Sequence, residues 1–405
     1  MQKTSSKKNK KLNAVAIAMA ILLCLGGFFV FFRLDNAGAR LADSNLTSES
    51  ILFLSDKGNS LPAPTLSAKS AVLIEAESGE VICGKNADDR LPMASTTKIM
   101  TALVAIENAD ISKTVSVSPK AVGVEGSSVY LYAEERMTLE DLLYAMMLES
   151  ANDAATAIAI EVGGDLDTFA DMMNEKARKM GLSDTHFENP HGLDGETHYT
   201  TAYELALITR EALSNPVFRE ICSTYKKTIP LNETEGVRLL INHNKMLRSY
   251  DGAIGVKTGF TKKSGRCLVS AAERDGLTFI AVTLGAPDDW KDHTALLDYG
   301  FSLYEARMLC DMGSFSYVMP LSGGIDDHVI LENAQRIIVI LPRNTEEIEC
   351  VVELPRFCLA PIRAGEEIGR LVYYLNGEKI AESAIIAKTS AESNQSRRFW
   401  ARIFH

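Results

Sequence analysis

Ser95 and Lys98 stand three residues apart in Pro92-Met93-Ala94-Ser95-Thr96-Thr97-Lys98-Ile99-Met100, at the head of an apolar run. Ile99, Met100, Leu103, Val104 and Ile106 follow with no Gly or Pro before Asn108, which predicts a buried helix. Residues i and i+3 share a helix face, with Cβ atoms about 5–6 Å apart, so a neutral Lys98 could take the proton of Ser95. Burial disfavours the ammonium form, and so does the positive end of the helix, where Ser95 sits. The same helix end leaves a backbone N–H free to hold an oxyanion. The chemistry open to this pair is acyl transfer through a serine ester. An N-capping serine beside an exposed lysine fits the spacing as well, so the pair alone does not decide.

Two later stretches bear on that choice. Ser150 and Asn152 lie in Leu148-Glu149-Ser150-Ala151-Asn152-Asp153, where two helical patterns meet. The first has Thr138 as its cap, Glu140 and Asp141 in its first turn, then Leu142, Leu143, Met146 and Met147; the second begins at Ala154. Capping is the simpler use of Ser150 and Asn152. Lys257-Thr258-Gly259-Phe260 lies on or beside a strand near a sheet edge, and two further strands follow, Cys267 to Ala272 and Leu277 to Leu284, joined by the hairpin turn Arg274-Asp275-Gly276. A cation and a hydroxyl side by side can hold a carboxylate; an exposed Lys-Thr pair before a glycine bend is the plainer alternative. Taken in order, Ser-x-x-Lys, Ser-x-Asn and Lys-Thr-Gly are the signature set of penicillin-recognising serine enzymes.

Composition bounds the alternatives. The chain has 405 residues, 46% apolar and 23% charged, enough for two globular domains. A net charge of −11 argues against a nucleic-acid partner. Seven scattered cysteines without a C-x-x-C pair argue against a zinc site and a dense disulfide framework; Cys83 and Cys267 read as buried thiols, and a Cys350–Cys358 bridge stays open. His186, His191 and His198 form no H-E-x-x-H arrangement, so no metal is expected, and they read as loop histidines with structural hydrogen bonds. No cofactor is expected.

The elements that must position these residues divide the chain. Residues 1–39 read as an export segment: Lys3, Lys7, Lys8, Lys10 and Lys11, then 19 uncharged residues from Ala14 to Phe32. Ala37-Gly38-Ala39 suits signal cleavage, whereas the apolar run, about 28 Å long as a helix, suits a retained anchor. Residues 40–67 read as a linker, 68–305 as the domain carrying the three motifs, and 306–388 as a small all-β domain with Asn376-Gly377 as a hairpin signal. Residues 389–405 read as an amphipathic basic tail, Phe399, Trp400, Ile403 and Phe404 sharing one helix face, to be set at an anionic membrane surface or to fray.

Residues 66–300 closely resemble the low-molecular-mass penicillin-binding proteins that act as D-alanyl-D-alanine carboxypeptidases, serine peptidase family S11. Besides the three motifs, the likeness rests on Val72-Leu73-Ile74-Glu75-Ala76 with Gly79, Leu91-Pro92-Met93-Ala94-Ser95, Asp153-Ala154-Ala155, Asn189-Pro190-His191-Gly192-Leu193, and Asp251-Gly252. It implies an α+β fold: an antiparallel sheet flanked by helices, with a helical part closing the cleft and a β-sandwich domain behind. It implies Ser95 as nucleophile, Lys98 as general base, and Ser150 with Lys257 as a proton relay to the leaving D-alanine. Asn152 would bind the substrate amide, Lys257 and Thr258 the terminal carboxylate, and the N–H groups of Ser95 and Phe260, beside Gly259, the oxyanion. Phe260 departs from the His found in many relatives, with a consequence for substrate preference or pH response. Peptidoglycan stem peptides are the implied substrates and β-lactam antibiotics the implied covalent inhibitors, at the extracytoplasmic face of a bacterial membrane. D,D-endopeptidase activity, a serine β-lactamase and a non-catalytic wall-binding protein are the alternatives. A class A β-lactamase would add a glutamate base in a Glu-x-x-Leu-Asn stretch, and none stands between the second and third motifs.

Overall fold

The computed structural model describes residues 49–54, 62–231, 236–345 and 347–394. The expected export segment 1–39, most of the remaining linker and tail residues 395–405 lie outside the described residues. Among the described residues no helix is long and apolar enough to cross a membrane.

Five strands build the central sheet: β1 (Ser70–Glu75), β2 (Val81–Lys85), β3 (Ala253–Thr261), β4 (Gly265–Arg274) and β5 (Leu277–Leu284). They run in the order β2-β1-β5-β4-β3, every neighbour antiparallel. The β4–β5 turn has Asp275 and Gly276 at φ of 52° and 82°, the backbone that Asp-Gly allows in a two-residue hairpin loop. β1 and β5 are apolar on both faces because both faces are covered. Val72, Ile74, Ile280 and Val282 meet the helical side of the molecule, while Ala71, Leu73, Phe279 and Ala281 meet the long helix near residue 300.

The helical side comprises α1 (Lys98–Asn108), α2 (Leu139–Leu148), α3 (Asn152–Gly163), α4 (Leu166–Lys179), α5 (Ala202–Ser214) and α6 (Pro216–Ser223). Thr138 caps α2 as expected, its side chain accepting from the Asp141 N–H. Asp165, Thr201 and Asn215 cap α4, α5 and α6 in the same way. The opposite face carries α7 (Asp289–Leu303), which packs Leu296, Leu297 and Phe301 on the sheet, with Phe301 edge-on to Phe279 at 5.0 Å.

From α7 the chain passes directly into strand Tyr304–Cys310, so a strand spans the expected boundary at 305. That strand pairs with Arg336–Pro342, which pairs in parallel with Glu49–Phe53. Part of the 40–67 stretch expected to be linker is therefore a strand. Its apolar residues explain the difference: Leu52 and Leu54 pack into the C-terminal core, and Phe53 turns the other way onto Tyr304 at 5.1 Å. A six-stranded sheet faces this three-stranded one, and Ile337, Val339 and Leu341 meet Leu331, Leu371, Tyr373 and Ile385 between them. Ala391 pairs with Ile362 and Ser393 with Gly324, so the chain stays bound to this sandwich past the expected end at 388. Cys350 and Cys358 are free thiols on strands at opposite edges of the six-stranded sheet, and the bridge left open by the sequence is not formed.

Phe279 carries the α7 face of the sheet. Phe279→Ala should cost about 3–5 kcal/mol, read as a lowered urea midpoint of the tertiary signal with helical content preserved at low denaturant.

Candidate active site

Ser95 lies on a 3₁₀ turn, Ala94–Thr97, that runs into α1 at Lys98. Side-chain hydroxyls wind this turn tightly: Thr96 Oγ1 donates to the Met93 carbonyl at 2.6 Å and Thr97 Oγ1 to the Ala94 carbonyl at 2.8 Å. Ala94 is held at φ 48°, unusual for a residue with a side chain. Two glycines let other backbones reach it. A Cβ on Gly192, itself at φ 87°, would stand 2.0 Å from the Ala94 carbonyl oxygen, and one on Gly259 would stand 3.1 Å from the Ser95 nitrogen. The loop 189–195 and strand β3 thus approach the Ala94–Ser95 backbone closely from two sides.

Lys98 is fully buried. Its Nζ reaches Ser95 Oγ at 3.0 Å, Asn152 Oδ1 at 2.7 Å and the His191 carbonyl at 2.5 Å. Its pKa lies well below the ordinary lysine value because of burial first and the nearby charge of Lys257 second, Asp153 working the other way. A neutral amine has two N–H bonds and one lone pair. The Asn152 and His191 oxygens can only accept, so they take both N–H bonds and the lone pair faces the Ser95 hydroxyl. That is the orientation of a general base.

Asn152 is held in turn, its Nδ2 donating to the Glu125 carbonyl at 2.5 Å. Ser150 and Asn152 do not cap α3: Ala151 is the cap position and makes no side-chain bond there. Ser150 sits at φ 59°, and its Oγ accepts from Lys257 Nζ at 3.0 Å. Lys257 also donates to the Thr258 carbonyl at 2.9 Å. Burial brings the Lys257 pKa down to about 7. The structure therefore assembles Ser95, Lys98, Ser150, Asn152 and Lys257 into one bonded chain. Thr258, Gly259 and Phe260 line the cleft of about 390 Å³ that opens over Ser95 and Ser150. Phe260 is 66% exposed.

Other cleft residues escaped the sequence reading. Lys245, Arg266 and Trp290 line it, both cations 5.9 Å from the Trp290 ring, with Arg266 also paired to Asp289 at 3.0 Å. They come from three separated segments, and no spacing links them. The His191 and Glu125 acceptors are backbone carbonyls, which carry no residue-type signal. Among the described residues no group of three or more His, Cys, Asp and Glu is arranged to hold a metal.

Comparison with known proteins follows the same lines. The D-alanyl-D-alanine carboxypeptidase family profile matches residues 57–288, and that of the penicillin-binding protein 5 C-terminal domain matches residues 312–393. The chain is 34% identical over 331 residues to the D-alanyl-D-alanine carboxypeptidase DacF of Bacillus subtilis, covering 79% of this chain and 85% of that protein. It is 30% identical to DacC of Escherichia coli, covering 82% and 86%. Among solved structures, penicillin-binding protein 5 of Haemophilus influenzae superposes with a TM-score of 0.60 at 25% identity, over 82% of this chain and all of that one. A mutant of the Streptomyces K15 DD-transpeptidase superposes with a TM-score of 0.57 at 34% identity, over 59% and all of it.

Gly192→Ala tests the close approach to the Ala94–Ser95 backbone. The added methyl must displace the Ala94–Ser95 peptide, so covalent labelling of Ser95 by a β-lactam should slow at least about 100-fold, followed as adduct mass against time, while the circular dichroism spectrum stays unchanged.

Proposed function

We propose a reaction course for a chain that belongs to the D-alanyl-D-alanine carboxypeptidase family, serine peptidases S11. The protein is a serine-type D-Ala-D-Ala carboxypeptidase that removes the terminal D-alanine of peptidoglycan stem peptides, and penicillin binding is typical of its family. One observation carries the assignment of roles: buried Lys98 Nζ lies 3.0 Å from Ser95 Oγ, and its other two partners, Asn152 Oδ1 and the His191 carbonyl, can only accept.

Ser95 Oγ attacks the carbonyl carbon between the last two D-alanines, and its proton passes to Lys98 Nζ. The Ser95 and Phe260 N–H groups hold the oxyanion. The C–N bond then breaks. Ser150 gives its hydroxyl proton to the leaving nitrogen and regains one from Lys257, to which it is already bonded. The proton that Lys98 took from Ser95 goes to Lys257, left neutral by that transfer, so the two lysines together neither gain nor lose one across acylation. Water then attacks the ester carbon and gives a proton to Lys98, which returns it to Ser95 Oγ as the ester C–O bond breaks, restoring Ser95 and releasing the shortened peptide. Lys257 and Thr258 bind the terminal carboxylate. Asn152 orients Lys98 and keeps its second Nδ2 hydrogen for the substrate amide.

Penicillin should leave a slow ester on Ser95, because the carboxylates around the cleft are engaged elsewhere. Asp153 accepts from Ser128 Oγ and from the Leu131 and Ala154 N–H groups. Asp289 faces Arg266, and Glu149 accepts from the Ile241 N–H. This arrangement favours a carboxypeptidase over a fast β-lactamase. Relatives that act on the cell wall suggest an extracytoplasmic location. Within it, we assign membrane attachment to the apolar run 14–32 or to the basic amphipathic tail, residues 68–305 to catalysis and 306–388 to the supporting β domain.

Two experiments test this reading. Incubation of the purified protein with benzylpenicillin should add one penicilloyl mass mapped to Ser95, absent in Ser95→Ala, and the wild type should release D-alanine from a pentapeptide. Lys98→Ala should slow acylation by about 10²–10⁴-fold. No adduct and no release would defeat the assignment, and rapid penicillin turnover would favour a β-lactamase.

The pH profile tests Lys257 separately. Raising the pH through about 7 removes its charge in the free enzyme, so kcat/KM for D-alanine release should fall above that pH. A bound carboxylate favours the ammonium form, so the corresponding limb in kcat should lie higher. Lys257→Arg stays charged and should lose the alkaline limb, at a reduced kcat.

A further inference from the structure

His198 is bonded to Thr97 of the Ser95 turn, is not among the residues lining the cleft and is almost fully buried, and the reaction course above makes no use of it. Its two ring nitrogens have partners that fix its tautomer. Nδ1 accepts from the Glu188 backbone N–H at 3.0 Å, so Nδ1 carries the lone pair and the proton is on Nε2. Nε2–H then donates to Thr97 Oγ1 at 2.8 Å. The Thr97 hydroxyl hydrogen goes on to the Ala94 carbonyl at 2.8 Å. Burial keeps the imidazole neutral, with a pKa pushed down to about 4, and Phe187 packs edge-on against the ring at 5.9 Å. The direction of every hydrogen along this path is determined.

The path ends on a particular peptide group. The Ala94 carbonyl and the Ser95 N–H belong to one planar trans amide, so they point in opposite directions. Drawing the carbonyl toward Thr97 aims the N–H away from it. A row of aligned donors also polarises the amide at its end, making that N–H a better donor. We infer that His198, acting through Thr97, is a positioning residue that aims and strengthens the Ser95 N–H as an oxyanion donor. The inference rests on Ser95 being the nucleophile.

Two substitutions at one site separate this role from a structural one. Asparagine places an acceptor where Nδ1 stands, keeping the bond from Glu188, but offers no donor to Thr97. Glutamine reaches Thr97 with its amide N–H and gives up the Glu188 bond. His198→Asn should slow acylation by benzylpenicillin about tenfold with the initial binding constant unchanged, and His198→Gln should recover most of the rate. Thr97→Val should match His198→Asn, adding little in the double variant, and Thr97→Ser should recover most of the rate. The infrared band of the penicilloyl ester carbonyl on Ser95 reads the donor directly. It should move to higher wavenumber in His198→Asn and Thr97→Val and stay near its wild-type position in the two recovering variants. Should His198→Asn fold poorly, the Thr97 pair carries the same comparison. A wild-type rate and band in Thr97→Val, or a slower His198→Gln than His198→Asn, would overturn the inference. An unlabelled wild-type Ser95 would overturn the reading beneath it as well.

Discussion

A lysine sealed inside the protein, its pKa pushed well below the ordinary value by burial, is the constraint on which the rest of the site depends. An ammonium group in the position of Lys98 would lack water, and with Lys257 nearby the two charges would repel. Removing one charge relieves both penalties. The neutral amine then has a direction that an ammonium lacks, because it offers one lone pair and two hydrogens. The His191 carbonyl and Asn152 Oδ1 take the hydrogens, and that consumption leaves Ser95 facing the lone pair. Replace either acceptor by a donor, and the lone pair would turn away from the serine.

The fold supplies those acceptors from places far apart in the chain. Asn152 stands at the start of α3 and His191 in a turn 96 residues beyond Ser95, while Lys257, the donor to Ser150, lies on the edge strand β3. The three meet because β1 and β5 are covered on both faces, which fixes the sheet between α7 and the helical side. The hairpin end of β3 is tied to the 189–195 loop through Thr261 Oγ1 and Asp194 at 2.9 Å and through Lys263 and the Gly195 carbonyl at 2.9 Å. That tie sets the loop carrying the His191 carbonyl against the strand carrying Lys257. The C-terminal sandwich joins the same frame, since α7 runs into its first strand and Glu49–Phe53 adds a strand from before the catalytic sequence.

Side-chain chemistry at fixed spacing was the legible part of the sequence. Ser95 with Lys98, Ser150 with Asn152, and Lys257 with Thr258 could be read because the needed groups belong to particular residue types. The Thr138 cap and the Asp275-Gly276 turn could be read for the same reason: each satisfies a local backbone requirement. The carbonyls of His191 and Glu125 could not, since any residue has one. Ser150 and Asn152 looked like caps because both types cap helices, and only the positive φ of Ser150 and the assignment of the cap to Ala151 separate the two uses. His198 reads as a loop histidine with structural hydrogen bonds, and residue type alone does not say which atoms those bonds join. The strand Glu49–Phe53 was hidden by its polar surroundings and by a partner, Arg336–Pro342, at the other end of the chain.

Charge poses a last problem for an enzyme of this kind. The chain carries a net charge of −11, and the substrate ends in a carboxylate. Mobile ions screen charges beyond about 10 Å at ordinary salt, so what the carboxylate meets at the cleft is local. There Lys245 and Arg266 flank Trp290, and Lys257 stands deeper, bonded to Ser150. Asp289 offsets Arg266, which leaves Lys245 and Lys257 as the cations that set the sign of the cleft. The two differ in what surrounds them. Lys245 lines the open cleft and can attract an anion without being committed to one geometry. Lys257 is buried, and burial brings its pKa down to about 7, so an arriving carboxylate would favour its charged form. In the proposed course the same lysine next supplies a proton through Ser150, so recognition of the terminal carboxylate would be coupled to departure of the residue that bears it.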